Sequence, residues 1–259
     1  MQVTVETITP KIASAYLDQN VANRKVKKVN LEALTRDIKN GAFQVNGDAI
    51  RFSISGKLLD GQHRLMACVA ADKPIQTVVI RDLPDETQNT MDCGAVRQAG
   101  DKLSLAGVKN GNTVAAAIKA FYGYKTQHYN HVKVTHAEVF DFIENNPSIE
   151  EWASECRNSF PGLGSILTAV SFIISKKYGG SVALDFVNVF KTGIPSMENC
   201  AAHAVREKLV KLSGSALRLS QNARLKLVMW GAMNFAERRP INVVRSPDKI
   251  NISWIKDVG

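Results

Sequence analysis

The chain has no long apolar run. Across 259 residues the longest candidate, residues 166–174, falls well short of the roughly 20 residues that a bilayer-spanning helix needs, and it contains Thr168 and Ser171. The opening stretch MQVTVETITPK lacks the charged start and apolar middle of a secretory leader. The four cysteines, Cys68, Cys93, Cys156 and Cys200, are widely spaced with no CxxC pair, so neither a zinc site nor a disulfide framework is signalled, and a reducing cytoplasm is expected. A Walker loop, a GxGxxG turn and a GxSxG elbow are all missing, which argues against a P-loop kinase, a Rossmann enzyme and an α/β-hydrolase. No helix-turn-helix pattern is recognisable, so sequence-specific reading of DNA is not supported.

What is present begins with a core. Hydrophobic residues make up 45% of the chain, enough for one large or two ordinary domains. The net charge is +9, and its distribution is uneven. Residues 1–100 carry 13 Lys+Arg against 11 Asp+Glu, whereas residues 205–249 carry 10 against 3. Arg206, Lys208, Lys211, Arg218, Arg224, Lys226, Arg238, Arg239, Arg245 and Lys249 form this basic segment. It reads as a polyanion surface acting through counterion release or as a solvated helix face. Aromatic residues do not interleave with it, so base stacking has little support.

The first hundred residues mix strand and helix signals. Residues 3–8 alternate as a strand, and Thr9-Pro10 starts a helix running to about Asn20. Asn30 is the expected cap of a second helix that ends at Asn40-Gly41. Residues 49–54 alternate as a strand, with residues 57–59 pairing back on it. A helix over residues 65–70, a β-branched strand over residues 75–80 and a helix from Pro84 follow. From about Asp101 helical periodicity dominates, broken at Asn145-Asn146-Pro147, Pro161-Gly162, Gly179-Gly180 and Gly193-Ile194-Pro195. Thr135 with Glu138 and Ser148 with Glu151 have the spacing of capping boxes. Residues 241–244 and 250–255 are expected as extended segments. The fold class is therefore α/β (α+β) over residues 1–100, followed by an all-α domain over residues 101–259.

The chemistry concentrates in Asp60-Gly61-Gln62-His63-Arg64, where a strand hands over to a helix. A helix N-terminus suits an anion, an arginine adds a planar fork for phosphate, and a histidine moves protons near neutral pH. Taken alone, the stretch reads more readily as an N-cap followed by a surface ion pair, since Asp and Gly are ordinary cap and turn residues. Elsewhere, His128, His131 and His136 read as a polar loop rather than a zinc site, since no carboxylate completes a ligand spacing. Trp152, Trp230 and Trp254 read as core anchors.

The order of elements around this turn resembles the ParB/sulfiredoxin-like nucleotide-binding fold. Residues 59–67 stand where that family carries its Gly-Glu-Arg-Arg motif and helix. Asn23-Arg24 resembles the Asn-Pro-Arg box without its proline, residues 31–41 the helix between the boxes, and residues 71–80 the closing strand. The likeness spans roughly residues 20–92 and extends to phage and mobile-element proteins with a DGQHR or DGRHR motif and a helical tail. In those proteins Asp92-Cys93-Gly94, Arg97 and Asp101 resemble a recurring element. Two departures matter. Gln62 stands where sulfiredoxins have their catalytic cysteine, so thiol chemistry is not expected. ParB CTPases have a glutamate there, and an amide cannot act as a base. The free amino-acid kinases of this fold, with Asp-Gly-x-His-Arg, are locally more similar.

By that resemblance, Asp60, His63 and Arg64 are the candidate catalytic residues, Asp60 as base or Mg²⁺ ligand and His63 as donor to a transferred oxygen. Arg24 and Arg64 would clamp phosphoryl oxygens, Gly61 would let the backbone approach a phosphate, and Gln62 would orient a water or phosphate. Asn23, Asp92 and Arg97 complete the expected nucleotide pocket. The expected ligand is a nucleoside triphosphate with Mg²⁺, hydrolysed or used for phosphotransfer. DNA is expected on Arg206, Lys208, Lys211, Arg218, Arg224, Lys226, Arg238 and Arg239. No membrane partner is expected, and a homo-oligomer is compatible. Two alternatives stand beside this one: a non-enzymatic DNA-binding or adaptor protein, and a small-molecule kinase of the same fold.

Overall fold

In the computed structural model the described residues are 1–259 apart from 21–22, 24, 92–97, 128, 130–132, 214–218, 242, 245–246, 252–253, 256–257 and 259. The chain divides into two compact units, Met1–Val96 and Arg97–Gly259. The first is mixed α/β, and the second is helical among the described residues.

The N-terminal unit is built on one four-stranded sheet. Its strands are β1 (Gln2–Ile8), β2 (Ala49–Ser53), β3 (Leu58–Asp60) and β4 (Ile75–Leu83), in the order β1-β4-β2-β3. β1 pairs antiparallel with β4, β2 parallel with β4, and β2 antiparallel with β3. The parallel pair needs a crossover, and α3 (Gln62–Ala71) supplies it between β3 and β4. α1 (Pro10–Leu17) and α2 (Lys28–Lys39) both pack against α3. The β2–β4 register sets Ile50 beside Val79, and both are fully buried in one cluster with Leu65 and Cys68 of α3. Each such side chain contributes about 1.5–3 kcal/mol through burial.

α1 starts as the sequence indicates, with the Thr9 hydroxyl accepting from Ile12 N–H and Pro10 in the first turn. α2 does not. It begins at Lys28 rather than after Asn30, and no side chain caps it. The Lys27 N–H instead donates to His63 Nε2 at 3.1 Å, so a bond from α3 sets where α2 starts. The expected helix after Pro84 is a 3-10 helix, Asp85–Thr90. Asp85 accepts from Lys57 Nζ at 2.9 Å and from the Ser55 hydroxyl, which ties this helix to the β2–β3 turn. Those donors, Lys57 first, hold the Asp85 carboxyl well below the usual carboxylate range.

One buried-edge cluster closes the sheet. Arg81 of β4 donates from both Nη atoms to Glu6 of β1, and its Nη2 also donates to the Tyr16 hydroxyl at 2.6 Å. Tyr16 in turn donates to Glu6 Oε2 at 2.9 Å and stacks edge-on against Phe52, 4.9 Å between centroids. The first and last strands and α1 are thus held by one charge pair.

In the C-terminal unit, α4 (Ala99–Leu105), α5 (Gly111–Thr126), α6 (His136–Asn145) and α7 (Ser148–Glu155) lead to α8 (Gly164–Tyr178). α9 (Gly180–Thr192), α10 (Ala201–Ser213) and α11 (Gln221–Ala236) complete it. α8 is the hub, packing against α5, α7, α9 and α11, and residues 166–174 are all buried along it. The run that was too short to span a bilayer is therefore a core helix. The Thr135–Glu138 capping box forms. The one expected at Ser148–Glu151 does not, because Pro147 is already helical (φ −61°, ψ −27°) and Ser148 falls inside the first turn without a capping bond. The expected extended segments near the end form no strand among the described residues. Trp254 and Ile255 are buried in the helical core instead, with Trp254 Nε1 donating to the Tyr178 hydroxyl at 3.0 Å. Among the described residues, no helix is long and apolar enough to cross a membrane.

The Glu6 cluster yields a pH prediction. The Arg81 bonds, ahead of the Thr4 and Tyr16 bonds and against a burial penalty, lower the Glu6 pKa from 4.5 to about 2. A depressed folded-state pKa stabilises the fold above the ordinary value, and that stability is lost as pH falls towards about 2. The melting temperature of the wild-type chain should exceed that of Glu6→Gln at pH 6, and the gap should close between pH 4.5 and 2. A gap independent of pH would show that the pair contributes no charge-dependent stability.

Candidate functional site

The turn between β3 and α3 is fixed from both sides. Asp60 is the last residue of β3 rather than the cap of α3, and its Cα pairs with that of Arg51 on β2. Gly61 is the N-cap, at φ +107°, ψ 0°. A Cβ built there would stand 2.9 Å from Ile50 Cγ1 and 3.2 Å from Ile50 Cα. Both the left-handed backbone and the approach to β2 therefore require glycine. The sequence assigned Gly61 to phosphate approach; the structure shows first that it lets α3 begin directly against the sheet.

Asp60 is fully engaged. Oδ1 accepts from Gly61 N–H at 2.7 Å, and Oδ2 accepts from Arg51 Nη1 at 2.6 Å and from Arg64 Nη2 at 3.3 Å. Arg51 and Arg64 are mostly buried, with side-chain exposures of 29% and 16%. Two guanidinium groups thus share one carboxylate, and Arg64 Nη1 is buried with no hydrogen-bond acceptor. Asp60, expected as base or metal ligand, is here the shared acceptor of two guanidinium groups, both of which donate to Oδ2. Among the described residues, no group of three or more His, Cys, Asp or Glu side chains converges.

Amides form the other side of the site. Asn23 Nδ2 donates to Leu58 O at 2.8 Å and to Asn20 Oδ1 at 2.6 Å, and Asn20 Nδ2 donates to Gln62 Oε1 at 3.3 Å. Gln88, from the 3-10 helix, donates to Asn23 Oδ1 at 3.2 Å and to Leu59 O at 3.3 Å. Gln62 is 5% exposed and is the buried member of this amide chain. His63 uses Nε2 to accept from Lys27 N–H, which makes that nitrogen an acceptor here rather than a donor to a transferred oxygen.

These residues enclose a cleft of about 180 Å³ lined by Asn23, Leu59, Asp60, Gly61, Gln62, His63, Gln88 and Met91. Five of the expected site residues, Asn23, Asp60, Gly61, Gln62 and His63, are therefore brought together. Arg64 does not line the cleft and joins it through Asp60. Arg24, Asp92 and Arg97 lie outside the described residues. Sequence reading missed Arg51, Asn20, Gln88 and Met91. Arg51 alone left a trace, as the one charge within the alternating strand over residues 49–54.

The basic segment is less available than its charge suggests. Arg206 Nε donates to Phe190 O and Nη1 to Glu207, Lys208 Nζ donates to Val244 O, and Lys226 Nζ donates to Asp248 O at 2.6 Å. Arg224 Nε donates to Leu219 O, and Arg239 pairs with Glu237 at 2.8 Å. Most of these cations hold this unit's own carbonyls and carboxylates. Lys211 and Arg238 are exposed, while Arg218 and Arg245 lie outside the described residues.

Cys68 and Cys156 are buried, and burial raises both thiols, Cys156 to about 11. Neither offers a thiolate near neutral pH. His136 Nδ1 lies 2.9 Å from Lys102 Nζ, and His128 and His131 lie outside the described residues. No family model, curated protein or solved structure matches the chain.

The Gly61 geometry is directly testable. Gly61→Ala should lower the melting temperature by several degrees, reflecting about 1–3 kcal/mol of backbone strain and crowding, whereas Gly47→Ala, at φ +85° with open space around it, should cost less. Equal losses would mean that the approach to Ile50 is not limiting.

Proposed function

We propose that the N-terminal unit is a ParB/sulfiredoxin-like nucleotide-binding module of the kind found in phage and mobile-element proteins. It takes the phosphate end of a nucleoside triphosphate in the cleft at the start of α3. The observation that carries this reading is the charge balance at the turn. Two guanidinium groups share a single carboxylate, and one buried guanidinium nitrogen has no acceptor. Such a nitrogen is costly, and the pair leaves the turn one positive charge in excess, which favours an anion nearby. Asp60 belongs to this cluster and to the cleft wall, so the excess positive charge stands beside the space an anion enters. The start of α3 adds its partial positive charge on the same side. A cleft of about 180 Å³ is below the size of a typical whole-ligand pocket. It suits phosphate groups, with sugar and base lying outside it.

Binding fits the geometry better than turnover. Asp60 and His63, the two groups capable of moving a proton, each hold the fold in place. The residues present fit a magnesium site poorly, since Asp60 is the one carboxylate lining the cleft among the described residues and its Oδ2 already accepts from two arginines. Nucleic-acid association of the basic segment has the net charge of that segment as its support, and no geometric observation advances it further.

Calorimetric titration with ATP, CTP, GTP and pyrophosphate tests this. At least one triphosphate, and pyrophosphate, should bind. Arg64→Gln and Arg51→Gln should each weaken binding several-fold, since each removes one positive charge from the cluster beside the cleft. Phosphate release should stay near the protein-free rate with Mg²⁺ present. The reading fails if none of these ligands binds, or if folded Arg64→Gln binds as the wild type does; rapid release would restore a catalytic role to the turn.

A further inference from the structure

The C-terminal unit contains a cavity of about 480 Å³ that no step of the nucleotide reading uses. It lies where the Pro161-Gly162 turn meets the end of α10 and the start of α11. Phe160, Leu163, Leu209, Leu212 and Leu219 give it an apolar wall, and Arg224 is the charged residue lining it. The size is within the range of small-molecule sites, and an apolar lining with one fixed polar group is their usual chemistry.

Arg224 is the informative residue. Its Nε donates to Leu219 O at 3.2 Å, which fixes the side chain on the cavity rim. Its Nη1 lies 3.8 Å from where a Cβ of Gly162 would stand, against the wall of the same cavity. Neither Nη atom has a hydrogen-bond or carboxylate partner among the described residues. The neighbouring arginines differ. Arg206 is paired with Glu207 and Arg239 with Glu237. Arg206 also lies 5.9 Å over the Phe160 ring, which holds that wall of the cavity in place. An apolar chamber thus opens beside a guanidinium fork whose geometry matches a carboxylate.

We propose that this cavity binds a small amphiphilic monocarboxylate, with the carboxylate on the Arg224 fork and the hydrocarbon chain among Leu163, Leu209, Leu212 and Leu219. Arg224, expected from the sequence to contact nucleic acid, is then a ligand-recognition residue. Charge complementarity selects this occupant over a neutral lipid, and the apolar wall selects it over a bare anion.

The test is calorimetric titration of the full chain with octanoate, below its micelle-forming concentration, beside 1-octanol and acetate. Saturable binding of octanoate is expected, with 1-octanol and acetate each at least tenfold weaker. Arg224→Gln should lose at least tenfold in octanoate affinity, and Arg224→Lys should retain part of it. Leu212→Trp, which fills the chamber while leaving the fork, should abolish binding and stands as the deciding variant if Arg224→Gln does not fold. Absence of saturable octanoate binding overturns the proposal. So does equal binding of 1-octanol or acetate, or unchanged affinity in either folded variant.

Discussion

The geometry of the N-terminal unit turns on one carboxylate. Asp60 joins β2 through Arg51, α3 through Arg64 and the connecting turn through Gly61 N–H. An aspartate in this position does three structural tasks at once. It sets the register of the short β3 strand, fixes the angle at which α3 leaves the sheet, and keeps two guanidinium groups from repelling one another. The same atoms leave the cluster one positive charge in excess, so the local need for structural order and the attraction for an anion have a common origin.

Around that carboxylate, neutral amides do the work of alignment. Asn20, Asn23, Gln62 and Gln88 come from three separate places in the chain and meet through side-chain bonds or through the carbonyls of β3. An amide both donates and accepts, so a chain of amides satisfies buried polar groups without adding charge. That keeps the electrostatics of the cleft under the control of the arginine pair.

Much of the fold was legible in local signals. Alternation located β1 and β2, a β-branched run located β4, Thr9-Pro10 started α1, and the Thr135–Glu138 box opened α6, because each depends on neighbours within a few residues. Misplaced elements were those set from a distance. α2 starts where His63, from α3, holds Lys27, and Trp254 settles into a helical core where a strand was expected. The site divides in the same way. The Asp60–Arg64 run is contiguous and could be read directly. Arg51 reaches it by strand register and Gln88 by a later helix, and neither relation has a sequence spacing to recognise. The basic segment was visible as charge, but which cations are occupied by carbonyls is a property of packing that composition does not carry.

The clamp between Glu6 and Arg81 has a consequence for how the chain is made. β1 leaves the ribosome first, yet its partner in the sheet is β4, some seventy residues later. Until that strand emerges, β1 is an unpaired, β-branched segment with Val3 and Val5 exposed, and closing the loop between the two strands carries the entropic cost of a long-range contact. During synthesis the N-terminal unit must therefore wait for its last strand before its first can settle. In that interval β1 is the segment most open to pairing with a neighbouring chain.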